Sequence, residues 1–188
     1  MSGAWRCDDK EVAYPMFELC AELSVDVIQF HKGVPFGLQN VEDLSPLDLE
    51  GAARDFREMT FIIHHPGLPY FEETISIASR FRNVYLSLSG NIGYGLVAPR
   101  LLQGQMGRLL MEVGSERLLW GSEAALAGGP AAYLDAFMDL EIPEDLQAGY
   151  GYPSITRWDK ENILGRNVAR LMNVDIEAKR GALSEVAG

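Results

Sequence analysis

Four short apolar runs alternate along the chain with stretches whose apolar residues recur at helical spacing. The runs cover residues 25–30 (Val-Asp-Val-Ile-Gln-Phe), 61–65 (Phe-Ile-Ile-His-His), 84–89 (Val-Tyr-Leu-Ser-Leu-Ser) and 118–120 (Leu-Leu-Trp). Each is followed closely by a turn signal: Lys32-Gly33, Pro66-Gly67, Gly90-Asn91 and Gly121-Ser122. Short apolar runs bounded in this way predict strands buried in a parallel sheet.

Helical spacing joins them. Val12, Met16, Phe17, Leu19, Cys20 and Leu23 predict a first helix, and Leu47, Leu49, Ala52, Ala53 and Phe56 a second that Ser45-Pro46 opens. Pro69 opens a third through Phe71, Ile75, Ile77, Ala78 and Phe81, and Leu101 to Val113 carries a fourth. Residues 130–140 predict a further helix and 143–153 a loop. Thr156 with Asp159 reads as a capping box for a last helix over 158–172, with Gly165 tolerated inside it. Residues 1–175 thus form one domain, and the small, polar residues 176–188 a flexible tail. Strands alternating with helices specify an α/β fold with about four parallel strands.

Composition narrows the possible partners. The 16 Lys+Arg stand against 27 Asp+Glu, a net charge of −11 that argues against nucleic acid or an anionic membrane. No run approaches the ~18 apolar residues of a membrane span, and the first ten residues lack a signal-peptide core, so a cytoplasmic location is expected. Cys7 and Cys20 have neither zinc-site nor disulfide spacing and are expected as reduced thiols.

The candidate chemistry lies at the strand ends. His31 follows the first run, His64 and His65 close the second, and Glu123 follows the fourth. In α/β folds strand tips carry the reacting groups, and imidazoles converging there with a carboxylate suit a divalent metal or proton transfer. Strand alternation sends neighbouring residues to opposite faces, so His65, next to the turn, is taken as functional and His64 as structural. Gly90 to Gly95 lacks the Gly-Lys-Ser/Thr of a phosphate loop and reads as a flexible loop, and Ser122 lacks the frame of a nucleophile elbow.

These landmarks together resemble a family, the metal-dependent amidohydrolases of the decarboxylase-like branch. Phe30-His31-Lys32-Gly33 is similar to its fifth-strand histidine motif and His64-His65-Pro66-Gly67 to its sixth. Leu119-Trp120-Gly121-Ser122-Glu123 is similar to the eighth-strand Gly-Ser/Thr-Asp. The stretch from Asn162 to Met172 resembles the closing Ile-Leu-Gly-x-Asn helix.

The resemblance implies the C-terminal half of a (β/α)8 TIM barrel that hydrolyses or decarboxylates a small organic acid or amide. It implies a divalent metal, zinc by preference, on His31, His65 and Glu123, with His65 and Glu123 catalytic. Two departures stand out. The first-strand His-x-His pair has no counterpart, and glutamate replaces aspartate, moving the carboxylate outward by more than about an ångström. A full barrel takes about 250 residues, and an open half would expose two strand edges and an apolar lumen face. A partner subunit supplying the N-terminal half, or a second copy, is therefore expected, the chain being a separate subunit or a truncated piece. The alternative function is a catalytically degenerate homologue serving as scaffold or assembly partner.

Overall fold

A computed structural model describes residues 5–35, 37, 39–66, 69–123 and 129–186, so Gly67 of the second turn lies outside the described residues. The four expected strands are present as β1 (Val27–His31), β2 (Thr60–His64), β3 (Val84–Ser87) and β4 (Leu118–Leu119). They form one parallel sheet in the order β1-β2-β3-β4. Between them run α1 (Ala13–Glu22), before β1, then α2 (Leu49–Asp55), α3 (Phe71–Arg80), α4 (Tyr94–Val97) and α5 (Pro99–Glu112). After β4 come α6 (Ala131–Met138), α7 (Glu144–Tyr150), α8 (Arg157–Glu161), α9 (Asn167–Leu171) and α10 (Ile176–Val186).

Strand alternation divides the sheet into two chemically different faces. Phe30, Phe61, Ile63, Val84, Leu86 and Leu118 point to the helices and are buried in the core. There the Phe17 ring of α1 meets Phe30, Phe56 and Phe61 edge-on, with centroids 5.9, 5.3 and 5.5 Å away. The opposite face carries Gln29, His31, Ile62, His64, Tyr85, Ser87 and Leu119. It is a mixed polar face and not the apolar one expected, because Gln29, His31, His64 and Ser87 alternate onto it.

One of the two expected open edges is closed. The Leu119 carbonyl accepts from Leu88 N–H at 2.8 Å, so its neighbours' backbone groups point away from β3. On that outer side the Leu118 carbonyl accepts from Asn167 Nδ2 at 2.7 Å, and Trp120 N–H donates to the Ile163 carbonyl at 2.9 Å. Asn167, fully buried, also donates to the Ser115 carbonyl at 2.7 Å. The chain stays helical through here by widening into a π-turn, Asn162–Arg166, between α8 and α9.

Local capping behaves as the sequence implies in two places. Thr156 and Asp159 form the reciprocal capping box of α8, and Ser45 caps the 3-10 turn Pro46–Asp48 that leads into α2. Three segments differ from expectation. Residues 144–150 are helical, because Pro143 precedes an acidic first turn, Glu144 and Asp145, and Leu146 is buried. Within Gly90 to Gly95 a 3-10 turn, Asn91–Gly93, leads into α4, anchored by buried Asn91 and Ile92. The tail is helical over Ile176–Val186, where Asp175 accepts from Ala178 N–H at 3.0 Å. Among the described residues no helix is long and apolar enough to cross a membrane.

The N-terminal segment is tied to the site by a buried ion pair. Lys32, next to His31, places Nζ 2.7 Å from Asp48 Oδ2, which also accepts from Cys7 N–H at 2.9 Å. Burial, with Asp48 beside it, pushes the Cys7 thiol up to about 12, whereas Cys20 is half-buried. Thiolate is the reactive form, so one thiol of the folded protein should react readily with a disulfide reagent and the second only on unfolding. Equal reaction of both thiols in the folded state would contradict this packing.

Candidate metal centre

His65 is the residue on which the site turns. β2 ends at His64, and His65 takes φ +60°, a left-handed conformation that few non-glycine residues adopt. Alternation stops there, so the expected split of the two histidines does not occur. Both rings swing to the same side, with centroids 3.9 Å apart. Glu123, beyond β4, also has positive φ, +52°.

The contacts are specific. His64 Nε2 lies 2.9 Å from Glu123 Oε1, and His64 Nδ1 lies 2.8 Å from Gln29 Nε2. Ser89, two residues past β3, donates its hydroxyl to the same Glu123 oxygen at 2.5 Å. His65 Nδ1 lies 2.8 Å from the Ser89 carbonyl oxygen. A carbonyl only accepts, so Nδ1 carries the proton, and in the neutral ring Nε2 carries the lone pair. That Nε2 is 3.5 Å from Glu123 Oε1. Histidines that ligate metals are commonly held by such an N–H bond to a carbonyl.

Two glycines make room. A Cβ on Gly121 would stand 2.6 Å from Ser89 Cβ, so only glycine lets Ser89 approach Glu123. Gly90 has φ +79°, and a Cβ there would stand 3.1 Å from His65 Nδ1.

Electrostatics set the protonation states. The Ser89 hydrogen bond, aided by His64, holds the Glu123 carboxyl below its ordinary range against the effect of burial. Burial lowers the His64 pKa, and the neighbouring His65 lowers it further, although Glu123 opposes this. His31 is lowered by burial and by both other histidines. Around neutral pH Glu123 is thus ionised while His64 and His31 are neutral, the states that metal ligation requires.

Of the residues expected to bind metal, the fold brings His65 and Glu123 together and adds His64. One donor atom from each of these three lies within 4.8 Å of the others. His31 stands beside this group, its ring 4.9 Å from His65 and 6.3 Å from His64. Sequence reasoning took His64 as structural and passed over Gln29 and Ser89. Ser89 closes the third strand run, so its place at a strand end was the available signal.

Two imidazoles and a carboxylate fit a divalent cation, with a coordination position left for water or substrate. The 3.5 Å between His65 Nε2 and Glu123 Oε1 matches the edge of a tetrahedron with zinc-like bonds, about 3.4 Å. Beside Glu123 is a hollow of about 340 Å³, with Ile92, Tyr94, Val97, Tyr133 and Ser122 in its wall. No lysine or arginine is among its described lining residues.

A family model described as amidohydrolase matches residues 1–174. No curated protein matches the chain. An uncharacterised TIM-barrel protein from Bordetella bronchiseptica is similar in structure, with TM-score 0.57 and 21% identity over 92% of this chain and 53% of its own. A protein from Lactobacillus casei ATCC 334, provisionally named a metal-dependent hydrolase, has TM-score 0.60 and 17% identity, covering 85% of this chain and 43% of its own. Another from Pseudomonas putida, provisionally named a 2-pyrone-4,6-dicarboxylic acid hydrolase, has TM-score 0.50 and 16% identity, covering 85% and 67%. The four parallel strands are therefore part of a TIM barrel, and the chain spans about half the length of the first of these structures, 53%.

Proposed function

This chain belongs to the amidohydrolase family, and we propose that it is the metal-binding half of a hydrolase or decarboxylase acting on a small organic acid or amide. The observation that carries this reading is the convergence of His64, His65 and Glu123 from two strand ends. When bound, a divalent cation would supply Lewis-acid activation of water and of the substrate carbonyl. His64, His65 and Glu123 would hold it, with His31 alongside.

The chain's own groups have distinct tasks. Glu123, ionised and steadied by Ser89 and His64, is placed to take a proton from water and return it to the leaving group. His65 is aimed by its bond to the Ser89 carbonyl. The hollow beside Glu123 suits the apolar or aromatic body of a substrate, its wall including Ile92, Tyr94 and Val97. With no cation among its described lining residues, a substrate carboxylate would be met by the rest of the barrel.

We take that rest to be a second chain or a second copy. In support, Val12, Leu19 and Leu23 form an exposed stripe on and beside α1, the helix that precedes the end strand β1. Exposed apolar stripes of this kind mark contact surfaces.

The scaffold reading is favoured by a different observation. The chain of bonds from Gln29 through His64 to Glu123 and Ser89 is complete without a cation. Native mass spectrometry of the protein purified from its source, without added metal, separates the two. One divalent cation per chain, with a second polypeptide or a second copy, is expected. Metal-free protein that also takes up no Zn²⁺ on titration would sink the enzymatic reading.

A further inference from the structure

The opposite end of the sheet has a site of its own. Arg54 stands in the last turn of α2 and Arg57 follows the helix, while Arg80 closes α3 and Arg82 follows that. All four line one hollow of about 350 Å³ at the N-terminal ends of β2 and β3, and no carboxylate is among its described lining residues. In a chain with 27 acidic residues against 16 basic ones, that is a local inversion of charge.

The helix dipole accounts for part of this, since basic residues suit the last turn. Arg54 and Arg80 fit that account, and each also pairs with a neighbouring carboxylate, Asp55 and Glu50. Arg57 and Arg82 do not fit it. Arg57 donates only to the Arg54 carbonyl, at 3.2 Å, and Arg82 makes no hydrogen bond or ion pair with a described residue.

Behind the hollow lies a fifth guanidinium. Arg117 is 7% exposed and donates to the carbonyls of Ala78, Phe81, Val84 and Val113, at 2.5, 3.0, 3.1 and 2.9 Å. No carboxylate of a described residue is within ion-pair distance of it. Burial lowers its pKa, and the positive charge of Arg82 lowers it further. Like charges held close are costly, and an anion bound beside them would relieve that cost.

The floor is rigid. Asn83 Nδ2 donates to the carbonyls of Ala53, Phe56 and Met59, at 3.1, 3.2 and 3.1 Å, which fixes the turn between the arginines. Planar guanidinium forks match phosphate oxygens two at a time.

We propose that this arginine-lined hollow binds a small anion carrying phosphate groups, at the end of the sheet remote from the metal centre. Inorganic pyrophosphate is the probe, titrated calorimetrically into the full chain at constant ionic strength, with phosphate and adenosine diphosphate as further arms. Saturable one-to-one binding is expected. Tighter binding of adenosine diphosphate than of pyrophosphate would assign the site to a phosphorylated metabolite, and the reverse to the inorganic anion.

Arg82→Gln removes no bond to a described residue and should fold normally, yet weaken pyrophosphate binding about tenfold or more. Glu123→Gln should leave it unchanged. Absence of saturable binding in all three arms would overturn the proposal. So would equal affinity in Arg82→Gln, or loss of binding in Glu123→Gln, which would move the anion to the metal centre.

Discussion

Glu123→Gln is expected to lower the affinity for Zn²⁺ by more than about a hundredfold while the protein stays folded. Loss of a group that merely orients a ligand costs about 10–100-fold, and here a charged ligand itself is removed. Glutamine keeps the length of the side chain and an oxygen for the Ser89 and His64 donors, so the hydrogen-bonded frame changes little. The apolar core lies on the other face of the sheet, so the unfolding midpoint should barely move.

The histidines sharpen the test. His65→Ala should match the glutamate variant, because His65 Nε2 faces the same carboxylate oxygen. His64→Ala should also be severe, since it removes a donor atom of the cluster and releases Glu123 on one side. His31→Ala should be milder, as His31 stands beside the cluster. Titration with a competing chelator measures all four. A greater loss for His31→Ala than for His64→Ala would show that the metal sits on the ligand set expected from sequence and not on the converged cluster.

The second large effect is on stability. Asn167→Ala should cost about 2–4 kcal/mol, read from urea unfolding. The side chain is fully buried, and its amide serves the Ser115 and Leu118 carbonyls. Each buried acceptor left without a donor costs about 1–3 kcal/mol. Arg170 holds the amide in place by donating to Asn167 Oδ1 at 3.2 Å. Asn167→Asp should not restore the loss, because a carboxylate has no N–H to offer two carbonyls. A change below about 0.5 kcal/mol, the level of ordinary surface substitutions, would mean that this amide does not secure the β4 edge.

Much of this fold is legible along the chain because its causes are local. The short apolar run of 61–65 against the helical spacing of 71–81 depends on residues within a turn or two of each other. So do the Thr156–Asp159 box and the Ser45-Pro46 start. The same holds for the placement of His31, His64, His65 and Glu123 at strand ends, which put all four at one end of the sheet. Local signals were also present and underread at Pro143-Glu144-Asp145 and at Asp175, where helices begin.

Which of those groups meet was decided by the tertiary structure. His64 and Glu123 are 59 residues apart in sequence, and Ser89 and Glu123 are 34 apart. Their contact depends on the sheet register, on the positive φ of His65 and Glu123, and on Gly121 having no side chain. The amide of Asn167 finds Leu118 across 49 residues, and Arg117 reaches Ala78 across 39. The amino-acid pattern by itself determined the order of elements and the end of the sheet at which the histidines and Glu123 lie, since both follow from neighbours in the chain. Only the folded packing decided that His64 joins His65 and Glu123, that one sheet edge is sealed and that the arginines converge, because each depends on residues brought together across the sheet.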